Sequence, residues 1–159
     1  MIGKIVMEGV LLGALLVLFC AISIRKGAVT MVFLYHGDVQ DRCVQNGLIT
    51  RERIWQNRKI FKGLGIPLYF TFALVSVYGV NGARGFWQLF AILSILNLID
   101  RLLIDDYWVG HTKAWDIPGT EDLKPYIDRK DRMGKWLVGT VGFAVLSAIL
   151  SGVMALVLR

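Results

Sequence analysis

The chain has 159 residues, 55% hydrophobic and 19% charged, with a formal net charge of +6 and a mean hydropathy of +0.56. That length allows one domain, and two cysteines, one in an apolar stretch (Cys20) and one in a loop (Cys43), are no disulfide framework. Charges crowd between four long apolar stretches instead of forming a polar coat, which excludes an ordinary soluble domain. The basic excess flanks those stretches, so membrane topology and anionic lipid headgroups account for it and nucleic acid is not expected.

A bilayer core is roughly 30 Å thick, so a helix needs about 20 apolar residues to cross it. The first stretch, Ile5 to Ile24, has that length with Glu8 its one charged residue. Arg25 and Lys26 end it, no small-x-small cleavage site follows it, and Phe19 precedes Cys20 where lipoprotein processing needs a small residue. It therefore reads as a retained span and not as a signal peptide. Gly9 and Gly13 form a Gly-x-x-x-Gly pair, the spacing that lets a second helix approach closely.

The loop that follows reads as ordered. Asp38 suits a helix N-terminus and Asn46-Gly47 its end, and a second helix is predicted to begin at Thr50, with Ile49 and Ile54 as a staple across its cap. Arg51 to Lys62 then sets Ile54, Trp55 and Phe61 among five basic residues, the composition of a helix lying on a membrane surface. Gly63, Gly65 and Pro67 are expected to turn the chain into the second span, Leu64 to Val80 and extendable to Ala83, in which Tyr69 and Tyr78 are packing or interfacial aromatics.

The third span, from Phe86, carries the polar residues. At about 100° per residue, Ser94, Asn97, Asp100, Arg101, Asp105, Trp108 and His111 share less than half of the helix circumference. Arg101 is expected to reach Asp105 one turn on, Asp100 to lack a partner on its own helix, and Asp106 to point the other way. A charge near the bilayer centre costs about 2.5–3.5 kcal/mol on the lenient insertion scale, so these positions are candidates for function. Asp100, Arg101 and Asp105 are the catalytic candidates, and Asn97, Trp108 and His111 the ligand-binding ones. The competing reading is an ion-pair network that fixes helix register.

His36 and His111, each with an aspartate nearby in sequence, are the weak metal candidates. No histidine pair occurs at helical spacing, and a catalytic metal needs three converging ligands, so no metal is expected. No motif names a cofactor. In the second loop Pro118-Gly119 is a turn signal and Thr120 with two acids a helix start. Asp128 with Arg132 and Asp131 with Lys135 are spaced as helical ion pairs leading into the fourth span, Trp136 to Leu158. That span repeats the small-residue device with Ser147 and Ser151, and with Ala148 and Gly152. Packing within the bundle is the favoured reading of these faces, although a homo-oligomer is compatible with them.

The fold class predicted is all-α: an integral membrane four-helix up-down bundle with two ordered cytoplasmic loops. It forms a single domain over residues 1–159, with spans at about 5–24, 64–83, 86–106 and 136–158. Both long loops are basic while the second turn holds only Arg84, so the loops are cytoplasmic and both termini outside.

The run from Asp100 to Tyr126, including Trp108-Val109-Gly110-His111-Thr112-Lys113-Ala114-Trp115 and Ile117-Pro118-Gly119-Thr120-Glu121, resembles a signature of uncharacterised small four-span bacterial membrane proteins. The resemblance implies a bacterial plasma membrane and attaches no activity. The four-span layout is also similar to glutathione-handling membrane proteins of eicosanoid metabolism. That likeness fails at the spacing from Asn57 to Pro67 and at Ile60, where an acid is expected. Three functions fit: a cytoplasm-facing polar pocket for a small or lipid-derived ligand, a membrane-embedded enzyme using Asp100 or Asp105 with Arg101, or an oligomeric transporter.

Overall fold

The computed structural model describes residues 2–77 and 82–157; the side chains of residues 77, 82 and 83 are outside the description, as are Tyr78 and Val80 of the expected second span and Leu158 of the fourth. The described residues are helical or in loops, with no strand among them. Helix α1 covers Ile2–Ser23, α2 Gly37–Gln45, α3 Arg51–Val77, α4 Gly82–Leu98 and α5 Arg129–Val157. Beyond Leu98, α4 continues without a break as a π-helix, Ile99–Val109. Short 3₁₀ turns fill Ala28–Leu34 and parts of the second loop.

Four of these helices are long and apolar enough to cross a membrane: Ile2–Lys26, Arg51–Ser76, Arg84–Val109 and Arg129–Val157. The third has 39% of its apolar window buried, against 17% for the second and fourth, which makes α4 the centre of the bundle. Helices α5 and α1 pack on it from two sides, and α3 sits chiefly against the 28–34 turn. Much of the rest of the apolar surface, including Leu11, Leu18, Val75, Leu137 and Val145, is exposed, as a lipid-facing surface must be.

Small residues set the two closest approaches. Gly9 and Gly13 of α1 lie against Ile95 and Ile99 of α4, and Gly139 of α5 lies against Asn97. In α5 the pair Ser147 and Ser151 is buried, whereas Ala148 and Gly152 face outward, so the two small-residue faces are not equivalent.

Two local expectations are corrected. Gly63, Gly65 and Pro67 do not turn the chain: the basic segment and the second span are one 27-residue helix running through Pro67. Proline removes one backbone hydrogen bond and presses on the carbonyl four residues back, that of Gly63, yet helix interruptions carry extra cost in lipid. Asp38 lies inside α2 and is not its cap. The cap position is His36, and the Asp38 carboxylate accepts the Val39 N–H at 2.9 Å, where an anion suits the first turn. The end of α2 at Asn46, with Gly47 at φ 69°, is as the sequence predicts. So is the Thr50 cap, whose hydroxyl accepts the Arg53 N–H at 3.2 Å.

The two basic loops dock on each other and make a small core of their own. Val39 and Cys43 of α2 are buried with Trp115, Ile117 and Tyr126 of the second loop. Tyr35 stacks on Tyr126 with ring centroids 4.7 Å apart, and its hydroxyl donates to the Trp115 carbonyl at 3.3 Å. The Tyr126 hydroxyl accepts the Ile117 N–H at 3.2 Å and lies 2.9 Å from the Thr120 hydroxyl. Arg42 makes a bidentate pair with Asp122 at 3.1 and 3.0 Å. That hydrogen bonding holds the Asp122 carboxyl below its usual range, although an exposed pair contributes little stability. Burial raises the Tyr35 phenol and the Cys43 thiol, so neither is ionised at neutral pH.

Candidate functional site

The polar stripe of the third span meets α5, and the π-helical winding decides how. A π-helix bonds i to i+5 in place of i to i+4, so each turn takes up more residues and the faces drift from a 3.6-residue pattern. Arg101 pairs with both Asp100 and Asp105. Asp105 also accepts from Lys135 Nζ of α5 at 3.2 Å, and Asp106 accepts from Arg132 Nη1 at 2.6 Å.

Three expectations change here. Asp100 does have a partner on its own helix, the neighbouring Arg101. Asp106 does not point away from α5, because the wider winding turns both Asp105 and Asp106 towards it. Arg132 and Lys135 do not pair with Asp128 and Asp131 along α5; they reach across to α4. Asp128 instead caps α5, its Oδ1 accepting the Asp131 N–H at 2.7 Å, and Asp131 pairs with His36 at 3.1 Å. Helix α5 thus supplies two of the cations that neutralise the π-helical end of α4.

Asn97 is buried one turn deeper, and a Cβ on residue 139 would stand 2.6 Å from its Oδ1. It acts as a contact of the α4–α5 interface. Trp108 packs edge-on against buried Trp115, with centroids 5.4 Å apart, and its carbonyl accepts from the Thr112 hydroxyl at 2.6 Å. His111 is exposed, with Nδ1 2.8 Å from the Asp106 carbonyl.

A cleft of about 430 Å³ opens at this end of α4. Asp105, His111, Lys113, Asp116, Lys124 and Arg132 supply its polar wall, and Pro125, Tyr126 and Ile127 much of the rest. Of the residues singled out from sequence, Asp105 and His111 line it; Asn97, Asp100, Arg101 and Trp108 do not. Lys124 is held by Asp116 at 2.6 Å, which raises its pKa, and Arg132 is held by Asp106. Lys113 has no carboxylate partner among the described residues, and the Nε2 side of His111 carries no hydrogen bond there. Sequence reading missed Lys113, Asp116, Lys124 and Arg132 as wall residues, since none lies on the third-span stripe. The only signal was their shared place in the second charged loop segment.

The two histidines part company. His36 meets Asp128 and Asp131, with one nitrogen and two carboxylate oxygens all within 4.8 Å of one another. Such a set suits zinc or manganese, yet the same groups already serve as a His36–Asp131 contact and a helix cap. His111 lies in the cleft with no second ligand-type histidine. Neither protein-family models, nor curated proteins, nor solved structures give a match to this chain.

Proposed function

We propose that this is a plasma-membrane protein whose polar cleft, at the cytoplasmic end of α4, binds a small anionic or headgroup-like ligand. The observation that carries the reading is the wall of that cleft, where Lys113 and the free side of His111 face a space whose other charges are already paired. A cleft of that size is within the usual range for small ligands, about 300–1,000 Å³. Binding is favoured over catalysis because Asp105, the one catalytic candidate on the wall, is engaged by both Arg101 and Lys135. A carboxylate clamped by two cations is poorly placed to take a proton from a substrate. The likeness of residues 100–126 to small bacterial membrane proteins supports the bacterial plasma membrane as its place.

Thermal unfolding of the full chain in detergent, with inorganic phosphate or glycerol 3-phosphate added, tests the cleft. A ligand at a hundredfold excess over its Kd adds about 2.7 kcal/mol of stability. The stabilisation is expected to vanish in Lys113→Ala and to persist in Lys59→Ala, which removes the same charge elsewhere. Equal stabilisation of both variants would mean non-specific screening and remove the site.

Orientation is tested by labelling intact cells after both native thiols are replaced. Gly47 and Gly119 are poor reporter positions, because both have positive φ and a Cβ at 119 would lie 2.7 Å from Asn46. Exposed Glu52 and Lys130 are better. A cysteine at either is expected to react only after permeabilisation, whereas one at Gly3 reacts from outside. Reaction at Glu52→Cys without permeabilisation would reverse the topology.

A further inference from the structure

A second cleft, of about 480 Å³, lies between the end of α1, the 28–34 turn and the first half of α3. One wall is a single stripe of α3: Arg53, Asn57, Ile60, Phe61 and Leu64 recur at helical spacing and so share a face. The opposite wall holds Phe19, Ser23 and Lys26, then Thr30, Met31 and Phe33. Phe61 ties the walls together, its ring centroid 5.2 Å from that of Phe19 and 5.4 Å from that of Phe33. The Asn57 amide is already committed to the Thr30 carbonyl at 2.9 Å. The interior is therefore largely apolar, with Lys26 and Arg53 as its charges.

These two cations differ from the paired ones at the end of α4 and resemble Lys113. Lys124, Arg132 and Lys135 each meet an aspartate. Lys26 and Arg53 have no carboxylate partner among the described residues; the Arg53 guanidinium donates there only to the Gln56 amide oxygen, at 3.3 Å. The opening is also distinctive. Ile60 and Leu64 are 59% and 60% exposed, so the cleft gives sideways onto the surface that acyl chains cover in a bilayer.

An occupant that fits must carry an anion at one end and an apolar chain at the other. A free phosphate ion leaves the aromatic wall unused, and a neutral lipid leaves both cations without a counter-charge. We propose that this cleft seats one anionic glycerophospholipid, its phosphate between Lys26 and Arg53 and one acyl chain along Phe19, Phe61, Ile60 and Leu64. The site is separate from the polar cleft of α4 and stands whether or not that cleft takes a ligand. Seated there, the lipid would tie α1 to α3, two spans that meet chiefly through the intervening 28–34 turn.

Native mass spectrometry of the full chain, released from micelles holding equal phosphatidylglycerol and phosphatidylcholine, tests the proposal. One retained phosphatidylglycerol is expected, preferred by about tenfold or more, as two basic groups attract an anionic headgroup. The double variant Lys26→Gln with Arg53→Gln, both at exposed positions, is expected to bring the preference close to parity. Lys59→Gln with Lys62→Gln removes the same charge from α3 outside the cleft and is expected to leave the preference intact. Equal retention of the two lipids by the parent protein would overturn the proposal. So would an equal loss of preference in both double variants, which would show diffuse attraction to a basic surface.

Discussion

Replacing Arg101 with methionine is expected to cost about 3–5 kcal/mol of unfolding free energy in detergent, the usual result of leaving buried carboxylates without their partner. Arg101 is the only cation in contact with Asp100 among the described residues, and it shares Asp105 with Lys135. Side-chain exposure is 14% for Arg101 and 11% for Asp105, so water screens the pair little. Asp100→Asn alone is expected to cost much less, since Arg101 keeps Asp105. The double variant Arg101→Met with Asp100→Asn is expected to recover most of the loss, because Asp105 then keeps Lys135 and no carboxylate is stranded. Denaturant or thermal unfolding of the three variants checks the order. If Arg101→Met unfolds with the parent, the stripe is hydrated and free to serve a ligand, and the structural account of it fails.

That order could not have been reached from the sequence, and the reason is physical. Helical periodicity identified a polar stripe because Asn97, Asp100, Arg101 and Asp105 recur on one side of a 3.6-residue helix. From Ile99 the winding is π-helical, which no residue pattern here announces, and that winding brings Asp106 round to Arg132. The pairs Asp105–Lys135 and Asp106–Arg132 join residues 30 and 26 positions apart. Sequence spacing offered Arg132 and Lys135 nearer acids on their own helix, and tertiary packing took them across to α4.

What depends on composition and local chemistry was legible. Span number follows from apolar length, the Thr50 cap and the Asn46-Gly47 terminus from residue type, and the Pro118-Gly119 turn from Gly119 at φ 77°. The second loop shows the limit most clearly. It holds the latter part of the run from Asp100 to Tyr126, and the structure uses much of that part to build a core against α2, with Trp115, Ile117 and Thr120 all but fully buried. A conspicuous run of aromatic and turn residues can specify a folded loop core, while Asp116, Lys124 and Tyr126 of the same run line the cleft.

The second large effect is expected at the contact of α1 with α4. With little hydrophobic drive between helices in lipid, close packing decides whether they associate, and α1 brings only a narrow strip: Gly9, Leu12, Gly13, Leu16 and Cys20. A Cβ at residue 9 would stand 2.8 Å from Ile95 Cβ and 2.9 Å from its Cγ2. The Ile95 Cβ is fixed by the α4 backbone and no rotamer change moves it, so the helices themselves must separate. At residue 13 the nearest atom is the far end of Ile99, its Cδ1, but Cγ2 and Cβ follow at 3.1 and 3.2 Å, so a rotamer change relieves only part of the clash. Overpacking of this kind costs about 1–3 kcal/mol per site, and Gly9→Ala is expected to cost more than Gly13→Ala. The double variant should exceed either, and should release α1 from α4 before the rest of the bundle unfolds. Gly3→Ala, where nothing lies within 4 Å, is the control, and is expected to be neutral or to stabilise by up to about 1 kcal/mol through helix propensity alone. The decisive variant is Gly9→Ala in an Ile95→Gly background, which removes all three clashing atoms, Cβ, Cγ2 and Cδ1. Unfolding midpoints in detergent should place that double variant no lower than Ile95→Gly alone. A fall below Ile95→Gly as large as the fall of Gly9→Ala below the parent would mean that Gly9 is not held against Ile95, and that α1 packs elsewhere.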